Sequence, residues 1–263
     1  SDTDFCRSGF PVKKGLPEIK QDVFNEHLTG CPLDEKISEM NWLMAHGSPL
    51  AAFIMVMIDN PMVPATGHRI CNECMRSCIY QKQRPVNIPK IESFILDQVL
   101  ALPWGVEIYD LLCRWHPLRP MQWIMQPPQN KNVFVMGMGP AGFSLSNHLL
   151  MEGCDVFGAD GLKIDAIPDD WVNQPIQNYK AIYEAGEVRQ CRGFGGVSEY
   201  GITARWDKNY LKLIQIALLR RRFKLKGSIR FGGNVSVEKV WDLGFDHLTI
   251  ALGAGLPRGL PIP

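Results

Sequence analysis
The chain has 263 residues, of which 46% are hydrophobic and 21% charged, and its formal net charge is +1. That length carries one large domain or two modest ones, and the balance is that of a globular protein. The charge excludes a global basic field for nucleic acid, and no apolar run reaches the roughly 18–20 residues of a membrane span.

The N-terminal stretch SDTDFCRSGF has no apolar signal-peptide core, which predicts a cytoplasmic protein. In that compartment clustered cysteines bind metal or do redox chemistry more often than they form structural disulfides. DEKISEMNWLMAHG sets Ile37, Met40, Leu43 and Met44 at helical spacing and closes at Gly47. SPLAAFIMVMI is apolar nearly all round and reads as a core helix, cut by Asp59, Asn60 and Pro61. HRICNECMRSCIYQK then places Cys71, Cys74 and Cys78 within eight residues, among Arg69, Arg76 and Lys82. IPKIESFILDQVLAL predicts a helix with Ile91, Phe94, Ile95, Val99 and Leu102 on one face, and WGVEIYDLLCRW a short helix stopped by Pro117. HPLRPMQWIMQPPQNK holds four prolines in sixteen residues and reads as an extended connection. The expected organisation is a helical domain over 1–118, a Pro-rich linker over 119–130 and a second domain over 131–263.

The second part opens on NVFVMGMGPAGFSLSNHLLMEGCDVFGAD, a strand, a glycine turn, a helix, a Gly stop and a second strand. Val133 to Met136 form the continuous apolar run of a buried parallel strand. LKLIQIALLRRRF reads as an amphipathic helix, with the RRRFKLK run as its solvated basic end, and SIRFGGNVS and HLTIALGAG read as short strands. Cys113 and Cys154 lie in apolar contexts and read as core residues. Cys191 lacks a C-x-x-C partner.

Two features carry chemistry. Gly137, Gly139 and Gly142 form G-x-G-x-x-G between a strand and a helix, with Pro140 and Ala141 inside it. The first glycine permits the tight turn, the second lets backbone approach a pyrophosphate, and the third lets helix and strand pack closely. The helix N-terminus then faces the anion. Asp160 ends the second strand, where a carboxylate accepts from ribose hydroxyls and repels a 2′-phosphate, so FAD or NAD is expected there rather than NADP. The three clustered thiols are the second feature. Disulfide pairing leaves one over, while zinc and an iron–sulfur cluster each want a fourth ligand; His68 could complete a zinc site. Thiolates suit an iron–sulfur cluster, and the neighbouring cations would favour thiolate ligands and raise its potential.

Several ordered motifs resemble the FAD- and iron–sulfur-containing NADPH oxidoreductases, which include the small subunit of glutamate synthase and the N-terminal half of dihydropyrimidine dehydrogenase. They are GCPLDEKI, DNPM followed by the three cysteines and PVNIPKIE, GMGPAG, GFGGVSEYGIT, and GFDHLTIALGAGLPRGLPIP. The resemblance implies a helical iron–sulfur domain followed by a partial Rossmann-like FAD-binding domain, an α+β and α/β architecture. It implies Cys31, Cys71 and Cys74 as ligands of one [4Fe–4S] cluster, with Glu92 where the relative uses a Gln. Cys78 falls to a second cluster, for which only Cys6 is present upstream where a tight cysteine group is expected. In the FAD domain it implies roles for Gly195 and Gly196 beside the flavin, for Val235 beside adenine, and for Gly253 in the Ala-x-Gly-Ala turn. Arg205 and Lys208 would offset phosphate or flavin charge, or be surface charges.

The family goes on to build an NADPH domain and then returns to finish the flavin site. No second G-x-G-x-x-G follows before Pro263, so the sequence reads as one piece of a longer polypeptide. The expected function is an electron-transfer module. It links a nicotinamide bound elsewhere, FAD and a [4Fe–4S] cluster to a redox partner subunit or downstream domains. A non-catalytic scaffold retaining the fold and a zinc-stabilised NAD-binding domain are the alternatives.

Overall fold
The computed structural model describes residues 31, 33, 35–67, 73–76, 78, 84–184 and 208–253. Helices fill the first part. α1 (Ile37–Ala45) turns its Ile37 and Met40 inward. It ends as its sequence predicts: Gly47 takes φ +72°, its N–H donates to Met44 O at 3.1 Å and Ser48 N–H donates to Leu43 O at 2.9 Å. That pair of bonds is a Schellman motif, which a glycine adopts without a Cβ penalty. α2 (Pro49–Asp59) starts on a proline, buries Ala52, Phe53, Val56 and Met57, and packs along α1. Two single turns follow, α3 (Val63–Thr66) and α4 (Glu73–Arg76).

α5 (Ile88–Leu100) is capped by Asn87, whose side chain accepts from Lys90 N–H at 3.2 Å. Its inward face is Ile88, Glu92, Ile95, Leu96 and Val99, while Phe94 is 50% exposed and Leu102, just beyond its end, is 37% exposed. The expected apolar stripe was therefore rotated: the turn at Glu92 and Ser93 is buried, and a stripe drawn on hydrophobicity alone steps around both. α6 (Gly105–Leu112) follows at once.

The chain from 113 to 131 runs as turns and extended segments. His116 fixes it: its buried ring donates from Nε2 to Ile54 O at 2.9 Å and accepts Leu118 N–H on Nδ1 at 3.2 Å. Both nitrogens are satisfied only in the neutral ring. Burial holds its pKa below the ordinary histidine value; the Ile54 carbonyl and the Asp59 charge oppose this, and the Arg119 charge adds to it. The contribution is full above about pH 6.5 and falls as pH drops below that, where the unfolded chain takes up a proton that the folded ring refuses. Melting temperatures between about pH 8 and about pH 5 should fall more steeply for the parent than for His116→Gln. Equal slopes would clear His116.

The second part holds a parallel sheet in the order β3-β2-β1-β4. Its strands are β1 (Asn132–Met136), β2 (Asp155–Ala159), β3 (Phe223–Lys226) and β4 (His247–Ile250). In register, Phe134 lies opposite Phe157 and Leu248. α7 (Pro140–Met151) carries the chain from β1 to β2, and α8 (Asp169–Asn173), a 3-10 turn (Tyr179–Ile182) and α9 (Asn209–Leu219) lie between β2 and β3. α10 (Val237–Asp242) precedes β4 and is capped by Ser236. A mixed α/β architecture with a parallel sheet is thus present. All four strands run parallel, so their carboxyl ends share one edge of the sheet.

Three expectations for this part fail. α9 is buried on all sides, Lys212 and Gln215 included, and is not amphipathic. One side meets the sheet layer and another meets α3 of the helical part, so both faces are covered. The RRRFKLK run is not a solvated helix end: Arg220 and Arg221 are buried, and Phe223–Lys226 is β3. SIRFGGNVS is a turn closed by an isolated Phe231–Val235 bridge rather than a strand. One hydrophobic cluster runs from Cys31 through the helices to Val133, Phe143 and α9, and a smaller one around Phe134, Met136 and Val240 lines the other sheet face.

Candidate functional site
The glycine turn sits at the carboxyl end of β1, the central strand beside β4. Gly137 has φ +99° and donates to Ala159 O at 2.7 Å. A Cβ on Gly137 would lie 2.3 Å from Ala251 O, and one on Gly142 would lie 1.8 Å from Gly137 O. Neither clash involves a side chain that could rotate away. Gly139 is the N-cap of α7 in extended backbone, and Pro140 supplies the fixed φ suited to a first helical residue. Gly137 and Gly142 are buried, Gly139 and Pro140 half-buried and Ala141 exposed. The free end of the helix is thus presented at the mouth of the turn, where its N–H groups and dipole suit an anion.

Asp160 does more here than the sequence suggests. It is buried, its Oδ2 accepts Met138 N–H at 2.7 Å, and its Oδ1 accepts Leu162 N–H at 2.8 Å. It therefore braces the glycine turn against the loop after β2. Each carboxylate oxygen can accept a second hydrogen bond. Val235 is buried in the smaller cluster, beside its bridge to Phe231. Gly253 has φ +80° and open space where a Cβ would stand. Gly195, Gly196 and Arg205 lie outside the described residues, as does Cys191.

On the sulfur side, Cys31 is buried in the core and its thiol is pushed up to about 11, first by burial, then by the charges of Glu35 and Glu92. Glu92 is buried, 5% exposed. Cys74 is half-buried on α4 against the same core, and Cys78 Sγ accepts Val86 N–H at 3.5 Å. Cys6 and Cys71 lie outside the described residues. Among the described residues no three His, Cys, Asp or Glu side chains come close enough to hold a metal ion. The donors are of the right kind for a soft metal group, but the described part does not bring three of them together. The glycine cradle, by contrast, fits a dinucleotide. Cys113 is fully buried, its thiol pushed up to about 12 by burial, and Cys154 is half-buried. Both stay thiols at neutral pH.

The sequence reading missed a group of polar residues around α9. Asn209 exchanges two hydrogen bonds with the Glu184 backbone, at 2.8 and 2.9 Å. Lys212 donates to Ile182 O at 2.5 Å and to Glu184 Oε2 at 3.1 Å. A lysine and a glutamine inside an otherwise apolar helical run were the available signal, since a helix covered on all sides must bury them with partners.

No family model matches the chain. An uncharacterized protein of Rickettsia prowazekii is 48% identical over 202 residues, 76% of this chain and 28% of that protein. The glutamate synthase [NADPH] small chain of Mycobacterium tuberculosis is 26% identical over 239 residues, covering 89% of this chain and 39% of that one. Histamine dehydrogenase from Rhizobium sp. 4-9 superposes on 87% of this chain and 24% of its own, at 17% identity and a TM-score of 0.33. The chain spans well under half the length of each of these relatives. The similarity to the glutamate synthase small chain is distant, and no helix among the described residues is long and apolar enough to cross a membrane.

Proposed function
We propose that this chain is an electron-transfer flavoprotein module. In it the sheet part binds FAD and the helical part holds a [4Fe–4S] cluster, and a nicotinamide bound elsewhere supplies hydride. The observation that carries the reading is the glycine cradle. Gly137 and Gly142 leave no room for a Cβ, and Asp160 braces the turn at the carboxyl end of a central parallel strand. The distant similarity to a glutamate synthase small chain supports it. Gly139, Pro140 and Ala141 place the amino end of α7 against the pyrophosphate, and the remaining acceptor sites of Asp160 take a ribose hydroxyl. Gly195, Gly196, Arg205, Val235 and Gly253 complete the flavin contacts. Cys31, Cys71 and Cys74 ligate one cluster, with Glu92 as an oxygen ligand, and Cys78 with Cys6 belong to a second. A bound flavin would supply the conversion from two-electron to one-electron transfer. The partner is a redox subunit or further domains of a longer polypeptide.

Anaerobic purification followed by a visible spectrum with iron, sulfide and flavin analysis tests the reading. Flavin bands with a broad shoulder near roughly 400 nm, iron and labile sulfide are expected. A colourless protein would reject it in favour of a scaffold, and zinc near one per chain without iron would favour a zinc-stabilised NAD-binding domain.

A further inference from the structure
The junction between helices and sheet carries a polar seam centred on Arg220. Its Nη1 donates to Glu107 Oε1 at 3.0 Å, to Glu107 Oε2 at 2.9 Å and to Asp110 Oδ2 at 3.3 Å. Its Nη2 donates to Trp171 O at 3.0 Å and to Gln174 O at 2.9 Å. One side chain, 6% exposed, therefore ties α6 of the helical part to the chain around α8 and to its own position at the end of α9. Two bonds extend the seam: Ile176 N–H donates to Glu107 Oε1 at 2.7 Å, and Trp104 N–H donates to Gln177 O at 2.8 Å. Arg114 closes the far side by pairing with Asp110.

Apart from the buried Arg221 next to it, the surrounding contact is largely apolar, and apolar packing is non-directional, so helices can slide within it at modest cost. A buried ion pair adds little net stability, because desolvation offsets the attraction; what it can supply is one defined arrangement. The planar guanidinium reads a carboxylate and two carbonyls at fixed angles, which an ammonium does not. We propose that Arg220, through Glu107 and Asp110, is a positioning residue that sets the register of the helical part on the sheet part. Resting on the functional reading above, it would thereby set the spacing between a flavin held by the sheet part and a cluster held by the helical part.

The test uses the full chain with Arg220→Met, Arg220→Lys and Glu107→Gln. Hydrogen exchange at the Ile176 and Trp104 amides should quicken roughly tenfold or more in Arg220→Met, with core amides of α5 and β1 unchanged. Flavin and iron contents should stay at parent levels. Electron passage to the cluster, followed after photoreduction of the flavin with EDTA as sacrificial donor, should slow by about tenfold or more, as small misplacements of reacting groups do. Arg220→Lys should restore little of either. Parent-like exchange at both amides would overturn the proposal, and so would uniform loss of protection through the core, which marks a merely stabilising role. In coloured protein a parent-like transfer rate in Arg220→Met would overturn it too. A colourless preparation would reject the functional reading while the exchange result still decides whether Arg220 sets the register.

Discussion
Gly142→Ala is expected to cost about 3 kcal/mol or more in stability and to leave any folded protein without bound flavin. The new methyl group would stand 1.8 Å from Gly137 O. Relief requires the first turn of α7 to move off β1 or Gly137 to leave its φ of +99°. Either motion breaks the cradle that holds the helix end at the carboxyl edge of the sheet. Lys90→Gly, at an exposed position of α5 away from the turn, is the control: it changes helix propensity by about 1 kcal/mol and leaves the cradle intact. Chemical denaturation and the flavin spectrum of the purified variants give both readouts. A Gly142→Ala protein with parent stability and full flavin content would show that the turn is not the constraint described here.

Asp160→Ala carries the second large effect. Removing the carboxylate orphans the Met138 and Leu162 N–H groups, one of them fully buried. At about 1–3 kcal/mol for each unsatisfied donor, the loss should reach about 2–6 kcal/mol. Asp160→Asn retains one acceptor oxygen and turns an NH2 group toward the other donor, so it should fall between parent and Ala. The order parent, Asn, Ala in denaturant midpoint is the signature of a turn brace. Parent-like midpoints in both variants, with flavin affinity alone reduced, would return Asp160 to the ribose role that its position just after β2 suggests.

The local features of the site were legible because neighbouring residues write them. The apolar run Val133–Met136, the glycine spacing and the acid after the second strand each depend only on short-range geometry, and β1, the turn, α7 and β2 lie where they were expected. The same holds for Gly47, whose position after an apolar-periodic run calls for a left-handed cap. The corrected features are those whose state depends on a distant surface. Phe94 is the more hydrophobic residue, yet Glu92 is the buried one. Periodicity finds that a helix has an inner face, but partners from elsewhere decide which polar residues that face accepts.

α9 makes the division plain. Its sequence determined a helix, through leucine and isoleucine at helical spacing and no breaker. It also determined a cationic end in Arg220, Arg221 and Arg222. Whether that end met water or carboxylates was not written there, because Glu107 and Asp110 lie more than a hundred residues earlier. A single sequence contains the charges but not their distances. Only the packing of α9 between the sheet and the helical part brought them together, where burial excludes the water that would otherwise have solvated them.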